Sequence, residues 1–178
     1  MKENLKVGLL GLGNMGRNHL RVLSMLKGVD LVSIYDVDQE ATKRLAQASG
    51  ARALTNVEEG LGDVDAVVIA TPTSTHAEYM LQVASKVKNI FVEKPIAQSL
   101  AEAQRLADFA TKEQLNVQVG FIERYNPAVQ GLKNIIDKSA GVISIDFTRT
   151  NKLSARITDV DVVTDLMIHD IDLALYLN

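Results

Sequence analysis

Lys6-Val7-Gly8-Leu9-Leu10-Gly11-Leu12-Gly13-Asn14-Met15-Gly16 is the stretch from which the fold is read. Lys6–Leu10 is a short apolar run of the kind that forms a buried strand, and Asn14–Leu26 follows a helical pattern. Between them the glycines stand at Gly-x-Gly-x-x-Gly spacing. Gly11 permits the tight turn, Gly13 lets the backbone approach a pyrophosphate, and Gly16 lets the helix pack closely on the strand. The helix start at Gly13, Asn14, Met15 and Gly16 offers free N–H groups and the positive end of the helix dipole to phosphates. The glycine spacing by itself is a weak signal; a strand before it and a helix after it make it specific. Asp36 closes the next strand, 20 residues beyond Gly16. A carboxylate there accepts hydrogen bonds from both ribose hydroxyls of NAD and repels the 2′-phosphate of NADP. The competing reading is a packing turn followed by an acidic helix cap. Strand, loop, helix and acid together favour an NAD site over that reading.

The alternation continues outward. Strand runs are expected at Leu31–Tyr35, Ala51–Leu54, Ala66–Ala70, Ile90–Glu93 and Asn116–Gly120. Helices are expected at Gln39–Ser49, Val57–Leu61, Thr75–Lys86 and Leu100–Lys112, the last capped by Ser99. Nearly continuous Val, Ile and Leu in several strands point to burial on both faces. The fold class is therefore α/β, a Rossmann-type doubly wound parallel sheet over residues 1–122. From residue 123 the pattern changes. Asn126 caps a helix over Pro127–Asp137, Val142–Thr150 alternates as a half-buried strand, and Thr164–Leu177 is helical. Residues 123–178 are expected to be the start of an incomplete second α/β domain, because Ile143, Ile145 and Phe147 find no strand neighbours downstream.

Composition narrows the function classes. A net charge of −3, with 4% aromatic residues and no Trp, gives no electrostatic footprint for nucleic acid or an anionic membrane. With no Cys there are no disulfides, thiolate nucleophiles or cysteine metal sites, and no metal site is expected. No apolar stretch reaches the roughly 20 residues of a membrane span, and the N-terminus lacks a signal-peptide pattern. A cytoplasmic protein is expected.

Candidate chemistry gathers where strands end. Glu93-Lys94-Pro95 closes the fifth strand, at the carboxyl edge where open parallel sheets bind ligands. Lys94 there could polarise an alcohol or carbonyl oxygen, Glu93 and Lys94 could touch the cofactor, and Pro95 could be cis; a surface lysine in a turn is the equal alternative. Thr71 and Pro72, after the fourth strand, could line the cofactor. His76 reads as a first-turn helix residue and His19 as structural. In the late helix Asp165 and His169 are four apart and Asp172 three further on, so the three share a face. A histidine beside a carboxylate suits proton removal from a carbinol. Spacing alone is equally met by a solvated helix face.

Taken together, these motifs resemble the glucose–fructose oxidoreductase/inositol dehydrogenase (Gfo/Idh/MocA) family. They are GLGNMG at 11–16, Asp36, ATPTSTHAE at 70–78, EKP at 93–95, Asn126-Pro127, and Asp165 through His169 to Asp172. The resemblance covers essentially the whole chain. It implies a dehydrogenase with His169 as general acid/base, Lys94 as its catalytic partner and Asp165 as a substrate or orienting residue. It departs at Met167, where the family pattern often carries glycine. Glu123 to Pro127 and Thr158 to Asp161 resemble the nucleotide-sugar branch, which would make Arg124, Tyr125, Asn126 and Asp172 substrate contacts; capping of the next helix is the alternative for the first three. The implied activity is hydride transfer between NAD and a secondary alcohol of a sugar, cyclitol or nucleotide sugar, by a protein that is a homo-oligomer in its full-length form. The rival readings are a non-catalytic NAD-binding module or fragment needing a partner, and an NADP-linked reductase.

Overall fold

The computed structural model describes residues 3–139, 141–149 and 162–178. The chain divides into two compact units, Met1–Gly120 and Phe121–Asn178.

The first unit is built on six parallel strands: β1 (Leu5–Leu10), β2 (Val29–Tyr35), β3 (Arg52–Ala53), β4 (Ala66–Ile69), β5 (Asn89–Val92) and β6 (Asn116–Val119). Their order in the sheet is β3-β2-β1-β4-β5-β6. That order reverses direction between β1 and β4, and the crevice outside the carboxyl ends at such a switch point is where these sheets bind ligands. The helices are α1 (Asn14–Leu23), α2 (Gln39–Ser49), α3 (His76–Ala84) and α4 (Leu100–Lys112). Neighbouring residues along one strand feed opposite layers. Leu10 and Ile69 join Met80 and Val83 of α3 and Leu106 of α4 in one buried cluster. Leu9 and Val68 join Ile34 and Ala46 of α2 in the other, with Leu20 and Leu23 of α1 packed against it. The sheet is thus covered on both faces, as its unbroken apolar strands require. Trimming a large side chain of either layer, such as Met80, to alanine removes about 2–5 kcal/mol of stability.

Caps fix several helix bounds. Asp38 accepts the Ala41 N–H at 3.0 Å to start α2, and Gly50 ends it at a φ of 76°. Ser99 accepts the Glu102 N–H at 3.2 Å to start α4. The first helix stops at Leu23, short of the expected Leu26. Ser24 turns its hydroxyl onto the Leu20 carbonyl at 2.8 Å, Met25 and Leu26 stand exposed, and Gly28 at a φ of 81° leads the chain into β2. The expected helix at Thr75–Lys86 opens as a 3₁₀ turn over Thr73–Thr75 before α3. The expected helix at Val57–Leu61 is a 3₁₀ segment, Glu58–Asp63.

The second unit holds a 3₁₀ turn at Ile122–Tyr125, helix α5 (Pro127–Ile136), a π-helical turn at Val163–Met167 and helix α6 (Ile168–Leu177). Asn126 caps α5 by accepting the Ala128 N–H at 3.0 Å. The strand expected over Val142–Thr150 is a correction. Residues 141–149 form no strand, and Thr150 lies outside the described residues, as does Thr158 to Asp161. A strand exists through its ladder partners, and among the described residues of this unit none supplies one; Ile143 and Phe147 are exposed.

Candidate functional site

The glycine loop carries the geometry that its spacing predicts. Gly11 has a φ of 90°, and a Cβ there would lie 2.5 Å from the Ala70 carbonyl oxygen. Only glycine tolerates both the conformation and the approach. A Cβ on Gly16 would lie 2.0 Å from the Gly11 oxygen, so α1 sits directly against the turn. Gly13 is different, since a Cβ there would meet nothing within 4 Å. Its bareness serves no internal contact and leaves the backbone open to a ligand. The N-terminus of α1 has no side-chain cap and no acid in its first turn, whereas Asp38 and Ser99 cap α2 and α4. Gly13, Asn14 and Met15 are exposed. Uncapped N–H groups at an exposed helix start, with the dipole behind them, suit a phosphate.

Asp36 is tied to this loop. Its Oδ2 accepts the Leu12 N–H at 2.6 Å and its Oδ1 accepts the Asp38 N–H at 2.9 Å. A carboxylate oxygen has two acceptor positions, so each keeps one for a ligand hydroxyl. Beside it, Tyr35 and Tyr79 meet edge to face with centroids 6.3 Å apart. Burial, then the field and hydrogen bond of Tyr35, push the Tyr79 phenol up to about 12 from 10.0, with Glu78 and Asp36 adding to the shift. Arg17, which the motif reading passed over, donates from Nε to the Leu12 carbonyl at 3.1 Å and places a cation at the loop. Together these residues fit a dinucleotide: open backbone for its phosphates and an anchored acid for its ribose.

The carboxyl edge after β4 and β5 is cross-linked. Thr71 accepts the Thr75 hydroxyl at 2.9 Å, and Pro72 is exposed. The Lys94–Pro95 peptide is cis. Glu93 is 7% exposed. Its Oε1 lies 2.6 Å from His19 Nε2, and its Oε2 accepts the Lys94 N–H at 3.2 Å. His76 is 1% exposed. Its Nδ1 lies 2.9 Å from the Pro95 carbonyl oxygen and its Nε2 2.9 Å from that of Thr71. Carbonyl oxygens only accept, and a neutral imidazole carries one N–H, so the tautomer decides which of the two carbonyls receives the ring's hydrogen bond. The His19–Glu93 partnership has no local signal, because the two are 74 residues apart, and the His76–Pro95 link spans 19.

In the second unit Arg124 grips Asp172 with two nitrogens, Nε to Oδ2 at 2.8 Å and a terminal nitrogen to Oδ1. Asp172 is buried. The contact with Asp172 holds the Arg124 guanidinium above its ordinary value. Arg124 also lies 5.3 Å from the Tyr176 ring centroid and 5.7 Å from that of Phe121. Arg149 similarly binds Asp170, at 2.8 Å. Two expected substrate contacts, Arg124 and Asp172, therefore hold each other, while Tyr125 and Asn126 are exposed. Asp165 lies in the π turn and His169 in the first turn of α6. One π turn inside a helix is frequent at functional sites. Among the described residues no group of His, Cys, Asp or Glu could hold a metal ion, and no helix is long and apolar enough to cross a membrane.

Sheet order, glycine loop and anchored acid define a dinucleotide-binding protein of the Rossmann class. The profile of the Gfo/Idh/MocA oxidoreductase family, described as having an NAD-binding Rossmann fold, matches residues 5–121, and the chain belongs to that family. It is 33% identical over 180 residues to UDP-N-acetylglucosamine 3-dehydrogenase of Acidithiobacillus ferrooxidans, covering 98% of this chain and 54% of the relative. It is 30% identical over 187 residues to glucose-6-phosphate 3-dehydrogenase of Bacillus subtilis, covering 97% and 53%. The crystal structure of Lactobacillus casei myo-inositol dehydrogenase, in complex with NAD(H) and myo-inositol, superposes with a TM-score of 0.86 at 29% identity, covering 98% of this chain and 54% of that one. The chain spans about half the length of the curated relatives it matches.

Proposed function

We propose that this chain binds NAD(H) in its first unit and serves an oxidoreductase acting on a secondary alcohol of a sugar, cyclitol or nucleotide sugar. The observation that carries this is the open, uncapped helix start at Gly13 beside an acid already lashed to the same loop. The N–H groups of Gly13, Asn14, Met15 and Gly16 hold the pyrophosphate, and Asp36 accepts the ribose hydroxyls. Thr71 and Pro72 line the nicotinamide side. Glu93 and Lys94 meet the cofactor, with Glu93 held in place by its bonds to His19 and the Lys94 N–H. The cofactor, when bound, accepts or returns a hydride at the substrate carbon.

The remaining chemistry is a proton. Lys94 donates a hydrogen bond to the substrate oxygen and stabilises negative charge as it develops there. His169 removes the hydroxyl proton and Asp165 orients its ring. The relatives named above act on UDP-N-acetylglucosamine, glucose 6-phosphate and inositols, so these are the substrate classes to test. Tyr125 and Asn126 are the residues of the Arg124 to Pro127 segment left to meet substrate. A homo-oligomer is proposed for the full-length form.

The test is NADH formation by the chain with NAD and each of myo-inositol, glucose 6-phosphate and UDP-N-acetylglucosamine. Turnover with one of them, lost in His169→Asn while NADH binding persists, is the expected result. Full turnover in His169→Asn would remove the assigned role. NADH binding without turnover on any of the three would favour the second reading, an NAD-binding module that works with a partner.

A further inference from the structure

Two of the chain's three histidines meet one short segment. His19, on α1, meets the residue before Lys94, and His76, at the start of α3, meets the residue after it. We propose that His19 and His76 are positioning residues, a brace that aims Lys94 from both sides. The inference rests on the role given to Lys94 above and deepens it.

The His19 arm runs through Glu93. The Glu93 carboxylate takes His19 on one oxygen at 2.6 Å and the Lys94 N–H on the other at 3.2 Å. Space for it is made across the sheet edge, where a Cβ on Gly120 would lie 2.9 Å from Glu93 Oε2. The His19 ring is set edge-on to Phe91, with centroids 5.1 Å apart, so its direction is fixed by packing as well. The His76 arm runs to the Pro95 carbonyl, and the opposite side of the same ring holds the Thr71 carbonyl. One fully buried ring therefore joins the loop after β4 to the turn after β5.

Nothing about filling the core requires these groups. An apolar side chain at position 76 would fill space without the cost of burying two ring nitrogens. Here one ring nitrogen of His76 faces Pro95, next to Lys94, and the other faces Thr71 in the loop after β4. The two helices reach that segment from opposite faces of the sheet, since α1 packs in one apolar layer and α3 in the other. A lysine side chain has four rotatable bonds and little direction of its own. Fixing its backbone on both sides is how a flexible amine is held to one reacting position.

The two rings use different nitrogens, and that gives the test its specificity. Glutamine places an amide where a histidine has Nε2, and asparagine places one where it has Nδ1. His19→Gln keeps a donor for Glu93 and His19→Leu does not. His76→Asn keeps the link to Pro95, while His76→Gln keeps only the link to Thr71. Each variant of the full chain is titrated with NADH, and the Lys94 side-chain resonances are followed by NMR, assigned by their loss in Lys94→Arg. The expected result is that His19→Leu and His76→Gln displace the Lys94 resonances and weaken NADH binding about tenfold, the effect of one charge-assisted hydrogen bond. His19→Gln and His76→Asn restore both readouts. If a leucine variant does not fold, the His76→Asn and His76→Gln pair decides, because both are neutral amides that retain opposite links. Unmoved Lys94 resonances in His19→Leu and His76→Gln would overturn the brace, as would identical behaviour of His76→Asn and His76→Gln. Displaced Lys94 resonances with unchanged NADH affinity would uphold the brace and remove Lys94 from the cofactor site.

Discussion

Replacing Gly13 by alanine separates the two duties of the glycine loop. A methyl group at Gly13 enters open space within the protein, and the residue's φ of −66° suits any L-residue. Alanine is a poorer N-cap than glycine by up to about 1 kcal/mol, and the stiffer unfolded chain returns about 0.4–1 kcal/mol. Net stability should therefore change by less than about 1 kcal/mol. The ligand sees a different surface. The methyl group stands where a phosphate must reach the backbone N–H groups, and losing one or two charge-assisted hydrogen bonds there costs about 3 kcal/mol, roughly 100-fold in affinity. Gly16→Ala is the opposite case. Its Cβ would lie 2.0 Å from the Gly11 oxygen, a backbone atom that cannot swing away. Overpacking of that kind costs about 3 kcal/mol, or a drop in melting temperature of roughly 6–12 °C for a chain of this length. Thermal melts and NADH titrations of both variants form the assay. Undiminished NADH affinity in Gly13→Ala would refute the placement of the phosphates, and a wild-type melting temperature in Gly16→Ala would refute the packing of α1 on the turn.

Other perturbations reach other parts of the molecule. The Tyr79 phenol is raised to about 12, first by burial and then by Tyr35, so the fold favours its neutral form. The stabilisation is complete below the unfolded value of 10.0 and is lost as pH rises from there through about 12; Tyr79→Phe should flatten that part of the stability–pH curve, and an unchanged slope would count against the burial. Arg124→Lys keeps the charge but cannot grip Asp172 with two parallel bonds, leaving a buried carboxylate oxygen short of a donor. Amide exchange in α6 should quicken by the equivalent of about 1–3 kcal/mol, and unchanged protection would show the pair to be dispensable.

Where caps and patterns are local, the structure could be foreseen. The bounds of α2 and α4 follow from amphipathic runs that open on a capping side chain, Asp38 or Ser99. The glycine loop was legible because its spacing between a strand and a helix is local, as is the contrast between crowded Gly16 and open Gly13, although the clash at Gly11 comes from Ala70, just past the end of β4. The segment after Gly141 was not. Alternation at Ile143, Ile145 and Phe147 describes a strand only where a ladder partner exists, and the described residues of the second unit hold none. The histidines are a different case. His76 does stand in the first turn of its helix, as its position suggests, but its burial between two carbonyls arises only once the sheet brings the ends of β4 and β5 together. The Arg124 to Asp172 pair spans 48 residues and likewise becomes visible only when the 3₁₀ turn meets α6.

The claim on which the account turns is that Asp36 and the Gly13 backbone make an NAD site, and a fluorescence titration of the chain with NADH, with NADPH alongside, tests it most directly. The account predicts saturable binding with NADH favoured at least about tenfold, the expected effect of a carboxylate facing a 2′-phosphate. Tighter binding of NADPH, or no saturable binding of either, would contradict it.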